Sequence, residues 1–494
     1  MEAVGGVELA VGAVVTHPLS IETVTAATAT TAHFEFRIIS PLSVARDADA
    51  PGRDTTPQKE LCAEVGLPHL WGGCRVGSEG VNPSGRSTSL PVWRERGMPA
   101  LLMLTAAGFA GYAVLLPTAP LWAVEGGADE AGAGLVNGVL LFVTILTQGF
   151  VPRLLRRFGA ALVLGVGLAL LGGPSLLQLL SDDLWWILML SAVRGIGFGI
   201  LTVCGSAAVA HLVSPARHGA AIGVYGAAIA VPQVFLLPIG PWLADTVGFW
   251  AVFALGTLPL LGIGFAPALA HAWHGNIDAS DHPAEGTVGA VGDGTGRRQW
   301  MPRGLLRPML LLLAVTLAGG ALITFAPQMV SAPAATTGGL ALLTITAAIS
   351  RWGIGGLADR HGTRPFLWPL VLATSVGLIL VAVAVSDPAA TQVPLFLVAM
   401  ALSGIAYGGL QNLTLLLSLN AVQRKDYDTA SAVWNIGFDA GTGVGSILIG
   451  SLAARLSFAP ALLVAAAISL ATLPLAFVRG RRSPAHGGTS ASPG

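Results

Sequence analysis

From Met98 onward the chain alternates between apolar stretches of about twenty residues and short polar breaks. About twenty apolar residues is the length a helix needs to cross a bilayer. The stretches fall at 99–122, 131–151, 160–180, 184–208, 218–242 and 248–271, then at 306–329, 336–356, 366–386, 391–417, 429–453 and 458–479. They predict an all-α integral membrane protein with twelve transmembrane helices. Helix follows from solvation, because backbone polar groups in hydrocarbon must be paired within their own segment. The break at 272–305 is longer and polar, holds Gly292, Asp293, Gly294, Arg297 and Arg298, and reads as a flexible linker. It divides the helices six and six, into halves at 98–271 and 306–482.

The ends differ from this pattern. Residues 1–97 are polar, rich in Thr, Ser, Pro and Gly, and read as a disordered N-terminal extension. The apolar run near Val7–Val15 is too short to span and has no basic residue before it, so it is a poor signal peptide. Met98 reads as an alternative start, which would make 1–97 an upstream extension of the gene; the competing reading is a regulatory tail. Residues 483–494 read as a disordered tail.

Composition agrees with the pattern. The chain of 494 residues is 53% hydrophobic and 11% charged, with a mean hydropathy of +0.71. Soluble domains carry about a quarter charged residues, so lipid must be the solvent for much of this chain. A net charge of zero argues against a nucleic-acid partner. Cys62, Cys74 and Cys204 lack metal-ligand or redox spacing, and Cys204 reads as a packing residue. The histidines do not cluster within the spans, so no metal is expected. Gly195-Ile196-Gly197 lies inside an apolar span and not after a strand, so it is no dinucleotide loop. No P-loop occurs, which argues against ATP-driven transport, and no nucleophile–base set suggests an enzyme. No cofactor is expected.

Charge orients the spans. Arg153, Arg156, Arg157, Arg217, Arg297, Arg298, Arg360, Arg364, Arg424 and Lys425 fall on one side, whereas Arg455 is the one arginine in a loop on the other. The positive-inside rule then puts both termini in the cytoplasm. The opposite loops carry Glu125, Asp129, Asp182, Asp183, Asp245 and Asp387. Trp122, Trp185, Trp186, Trp242 and Trp250 are expected in the outer aromatic belt, and Trp273, Trp300, Trp352 and Trp368 near the inner one.

The halves repeat. Gly195-Ile196-Gly197-Phe198-Gly199 returns as Gly404-Ile405-Ala406-Tyr407-Gly408, Ala110-Gly111 as Ala318-Gly319, and Ile239-Gly240 as Ile449-Gly450, at offsets that agree within two residues. Two parallel repeats predict pseudo-symmetric six-helix halves with a site at the midplane between them.

The loop between spans eight and nine reads Gly355-Gly356-Leu357-Ala358-Asp359-Arg360-His361-Gly362-Thr363-Arg364. It resembles the loop signature of the major facilitator superfamily, matched at Gly355, Leu357, Ala358, Asp359, Arg360, Gly362 and Arg364. Arg194-Gly195-Ile196-Gly197-Phe198-Gly199 is similar to that family's fourth-helix motif, a buried Arg followed by a glycine-rich face. The antiporter motif of the fifth helix is only partial: Gly223, Gly226, Pro232, Pro238, Gly240 and Pro241 are present, without the trailing Gly-Gly. The resemblance implies a secondary transporter working by alternating access. The expected activity is proton-coupled export of small lipophilic molecules; the alternative is uptake of a small solute by symport. A rival from another class is a non-transporting membrane sensor, which the intact loop opposes. The expected partners are a small-molecule substrate, protons and the lipid bilayer of the cell membrane, with the chain a monomer.

Two in-span charges stand out. Arg194 lies about ten residues into its span, where a charge costs about 2.5–3.5 kcal/mol on insertion scales. It must face the bundle interior, as a coupling or substrate-orienting charge or as a structural brace between spans one and four. Asp439 is the carboxylate in the middle of a span, with Asn435 one turn before it on the same face. Asp439 is the candidate for reversible protonation, and the competing reading is helix packing. By the resemblance, spans one, four, seven and ten line the cavity, which ranks Tyr112, Gln328, Tyr407 and Gln411 first. Asn412, Trp434, Asn435, Asn137, Gln148, Tyr225 and Gln233 complete the candidates, each of which could instead be interhelical glue.

The loop between spans two and three, Pro152-Arg153-Leu154-Leu155-Arg156-Arg157-Phe158-Gly159, is the weaker twin of the signature loop. The two read as inner gate latches. Asp359 is expected near Arg217 at the start of span five, and Arg156 or Arg157 near Asp426 or Asp428 at the start of span eleven.

Overall fold

The computed structural model describes residues 91–213, 217–279, 303–387, 390–423 and 427–478. Twelve helices among them are long and apolar enough to cross a membrane. In chain order they are α1 Met98–Glu125, α2 Glu130–Gln148, α3 Ala160–Leu180, α4 Leu184–Val209, α5 Ala220–Thr246 and α6 Phe249–Trp273. The second half follows as α7 Leu306–Met329, α8 Pro333–Ala358, α9 Arg364–Ala384, α10 Val393–Asn420, α11 Thr429–Leu456 and α12 Phe458–Phe477. Each predicted span corresponds to one helix. Ordered packing begins before Met98, since Val92 is buried in the core and Gly97 lies against Leu212 and Ala272.

The repeat is visible in how backbones approach. Glycines on α4 meet carbonyls of α2, Gly195 at Leu140 O and Gly199 at Thr144 O. The matching glycines on α10 meet carbonyls of α8, Gly404 at Leu343 O and Gly408 at Ala347 O. Gly240 of α5 meets Val114 O of α1, but its sequence counterpart Gly450 meets Glu130 O of α2; on α11 the glycine that meets a carbonyl of α7, Leu317 O, is Gly445. Small residues let membrane helices approach closely where no hydrophobic effect drives them together. The twin loops also end alike: Gly159 and Gly362 take φ of 78° and 79°, and their N–H groups donate to Leu155 O and Ala358 O. Glycine is needed there because the left-handed region crowds a Cβ.

The halves join along α2 and α11. Gly134 lies against Ser446 O, Gly138 against Ile447, Gly443 against Leu141 and Gly450 against Glu130 O. On the acidic face a polar clasp closes the seam. Asn137 Nδ2 of α2 donates to Leu116 O of α1 at 2.8 Å and to Thr324 Oγ1 of α7 at 2.9 Å, and Thr324 Oγ1 lies 2.9 Å from Ser446 Oγ of α11. On α5 and α8 burial is concentrated toward the acidic-face ends, at Leu237–Pro241 and Ala335–Thr344. Toward the arginine-rich ends, Gly223, Gly226, Gly353 and Gly356 face open space.

Three details differ from the sequence reading. α2 stops at Gln148, short of the predicted 151, and the chain turns at Gly149–Phe150 before resuming as a helix at Val151–Phe158. Pro152 explains this, since its ring clashes with the carbonyl four residues back, that of Gln148, and it has no N–H to give. α6 is interrupted at Gly256–Leu258, where Gly111 of α1 packs against Pro259. Trp273 is not in an aromatic belt: it is buried and stacks on His211 with ring centroids 5.4 Å apart. Trp185 and Trp352 are 79% and 80% exposed.

Candidate functional site at the seam between the halves

Asp439 is buried in α11 beside the broken end of α2, and its Oδ2 accepts from Gln148 Nε2 at 2.8 Å. This bond crosses from one half to the other. The same Nε2 lies 3.4 Å from Thr202 Oγ1 of α4, while Gln148 Oε1 is buried without a partner.

Around this pair two tyrosines face each other across the seam. Tyr112 of α1 stacks on Phe198 of α4, with centroids 4.0 Å apart and planes 4° apart. Asp439, Tyr407 and Arg194 lie in its neighbourhood. Tyr407 of α10 has its ring against Gly319 of α7, where any Cβ would collide with it. It lies within reach of Gln411, Thr442, Asp439 and Arg351.

Two arginines flank the tyrosines. Arg194 of α4 is 1% exposed, and its Nε and Nη2 have no hydrogen-bond partner. Arg351 of α8 donates from Nη1 to Gln411 Oε1 at 3.2 Å. Its backbone carbonyl accepts from Asn412 Nδ2. The cluster thus draws one or more residues from α1, α2, α4, α8, α10 and α11.

The structure sorts the expected cavity residues. Tyr112, Tyr407 and Gln411 belong to the cluster. Gln328 does not: it lies in the last turn of α7, at the acidic face. Trp434 is buried against α10, its Nε1 donating to Thr414 Oγ1 at 3.1 Å. Asn412 ties α10 to α8, and Asn435 donates to Ser431 O in its own helix at 3.1 Å. These three are interhelical or intrahelical braces. A separate pocket at the acidic face, lined in part by Glu125, Asp245, Phe249, Pro327 and Thr336, shares none of the cluster residues.

Of the latch residues, Gly355 is still inside α8, packed against Asn412, while Arg360, Arg364, Arg156 and Arg157 are exposed at the arginine-rich face. Arg157 lies over the Phe158 ring at 5.3 Å. Arg217 pairs with Glu95, ahead of α1. The side chains of Asp359 and Asp428, and the whole of Asp426, lie outside the described residues, so the proposed partners of the two latches do as well.

Sequence reasoning passed over Arg351. The signal was weak: Arg351 lies seven residues inside the end of its span, where a long cationic side chain costs less than at the centre. It also passed over the Pro152 break, whose consequence four residues upstream is to set Gln148 at a helix end.

Two repeated six-helix halves with a charged cluster between them define a secondary transporter. The Major Facilitator Superfamily model matches residues 101–385 and 309–494, and the chain belongs to that family. It is a multi-pass membrane transporter rather than an enzyme. Among solved structures, it is similar to a bacterial homologue of the human lysosomal transporter Spinster in an inward-facing, unoccupied conformation. That match has 14% identity and a TM-score of 0.58, covering 77% of this chain and 95% of the other. The nucleoside transporter NupG is similar at 11% identity and a TM-score of 0.58, covering 77% of this chain and 99% of the other. No curated protein matches the sequence.

Proposed function

We propose that the protein exports small lipophilic molecules in exchange for protons, with Asp439 carrying the proton. One observation supports this reading above the others. Gln148 presents a donor to Asp439 at 2.8 Å and holds a buried acceptor, Oε1, in reserve. An ionised carboxylate accepts the amide N–H; a protonated one can donate its O–H to the amide oxygen after the amide turns over. The pair survives in both charge states but with different geometry. It spans α2 and α11, so one proton acts on the contact between the halves. The titratable groups facing Asp439 from other helices are Tyr112 and Tyr407, and Arg194 reaches the cluster through Tyr112.

Alternating access requires the halves 98–271 and 306–482 to rock about the seam. Gln148 stands at the end of α2, at the Pro152 break. By the positive-inside rule the arginine-rich face is cytoplasmic, with both termini on that side of the cell membrane and the transporter working as a monomer. Uptake of a small solute by symport is the second reading, favoured by the incomplete antiporter motif in α5, where Trp242-Leu243-Ala244-Asp245 follow Gly240-Pro241 without a Gly-Gly.

The test is transport in proteoliposomes with an imposed pH gradient, after a compound panel in a host lacking efflux pumps has found the substrate. Asp439→Asn is expected to abolish gradient-driven accumulation and to leave substrate exchange without a gradient. Accumulation that follows the gradient as before in Asp439→Asn sinks the coupling role. Resistance in the host supports export, and faster accumulation of one solute supports uptake.

A further inference from the structure

The spans hold more positive than negative charge at the seam. Arg194 is 1% exposed with two of its three nitrogens unpartnered, and Arg351 has an amide, not a carboxylate, as its bonded neighbour. Among the described residues the ion pair observed is Arg217–Glu95, which includes neither of them. Asp439 is the mid-span carboxylate, and it is taken up by Gln148. A cation in a membrane span is retained when it meets an anion, water in a cavity, or backbone carbonyls. Neither guanidinium is seen to hydrogen-bond a backbone carbonyl here. A guanidinium offers five N–H groups in a planar fork that matches a carboxylate, and most of that capacity is unused at both sites.

The surroundings set the rest of the ligand. Tyr112 near Arg194 and Tyr407 near Arg351 bring hydroxyls, while Phe198 stacked on Tyr112 and Phe438 near Tyr407 bring apolar surface. We propose that the seam cluster is a binding site for an amphiphilic organic monoanion, a carboxylate with an aromatic or branched apolar body. Arg351 and Arg194 take its charge, and the tyrosine–phenylalanine walls take its body. Arg351 is exposed on the side where α5 and α8 diverge, so it meets the anion first; Arg194, deeper, holds it once water is excluded. The proposal narrows the substrate of the transporter proposed above, and it rests on that reading for the cavity but not for the proton.

The experiment is equilibrium binding to the purified full-length chain in detergent, read as thermal stabilisation, with no gradient present. The probes are aryl and branched-chain carboxylates, each paired with its neutral amide and its amine. Carboxylates are expected to stabilise the protein, their amides and amines much less. Arg351→Gln should weaken carboxylate binding about tenfold or more, the scale of a lost charge-assisted hydrogen bond, and Arg351→Lys should restore part of it. Arg194→Gln should do the same if it folds; Arg351, on the open wall, decides the matter if it does not. Amides that stabilise as well as carboxylates, no carboxylate that stabilises, or carboxylate binding unchanged in Arg351→Gln would each overturn the proposal. Proton coupling can fail in the liposome assay with these results intact, and the reverse also holds.

Discussion

The clasp at the acidic face makes a quantitative prediction about the conformational equilibrium. Asn137 Nδ2 makes two bonds, and only the one to Thr324 Oγ1 at 2.9 Å crosses between the halves; the bond to Leu116 O at 2.8 Å stays within the first. When the acidic face opens, the crossing bond must break while the other can persist. Side-chain hydrogen bonds between membrane helices average about 0.6 kcal/mol and reach about 1.7. Asn137→Ala should therefore shift the equilibrium toward the acidic-face-open state by about 3- to 20-fold. Thr324→Val should shift it similarly, because it removes the same crossing bond while keeping the shape of the side chain. The double variant should shift it no further than either single one, since both delete one interaction. Spin labels at Ala128 and Ser331, on loops of the two halves at that face, would report the two populations as short and long distances, with the native cysteines replaced. The reasoning fails if Asn137→Ala folds but leaves the distance distribution unchanged, or if the two single shifts simply add.

Packing supplies two further tests. Gly408→Ala drives a Cβ onto Ala347 O and should lower stability by about 1–3 kcal/mol, the usual cost of overpacking. Gly356→Ala, in the same kind of helix but facing open space, should be neutral or stabilising by up to about 1 kcal/mol; thermal unfolding in detergent distinguishes them. Gly159→Ala and Gly362→Ala should each cost about 1–2 kcal/mol, because both glycines hold a positive φ. A large difference between those two in the same unfolding assay would contradict the structural equivalence of the twin loops.

The extent to which the chain could be read in advance follows from what lipid does to sequence. Span number and position were legible because hydrocarbon tolerates one backbone solution, so length and apolarity suffice. The internal repeat was legible at Gly195, Gly199, Gly404 and Gly408, since each glycine is fixed by a carbonyl it must approach. Asp439 and Arg194 stood out because charge in a span is rare. The partners of those charges were another matter. Gln148 was one of many polar residues until Pro152 ended α2 beside it, and that effect acts across four residues of backbone rather than through a side-chain pattern. Arg351 sits near enough to a charged loop to look like part of it; only its bond to Gln411 on a helix sixty residues away assigns it to the seam. Trp434 and Gln328 show the converse. Residue type made each a credible cavity wall, and yet a half-turn of rotation or a few residues of depth puts one against Thr414 and the other at the acidic face. Sequence patterns locate a residue along a helix well. Its azimuth is set by the neighbouring helix, and in this protein the azimuth separates the two tyrosines and two arginines of the seam from the braces around them.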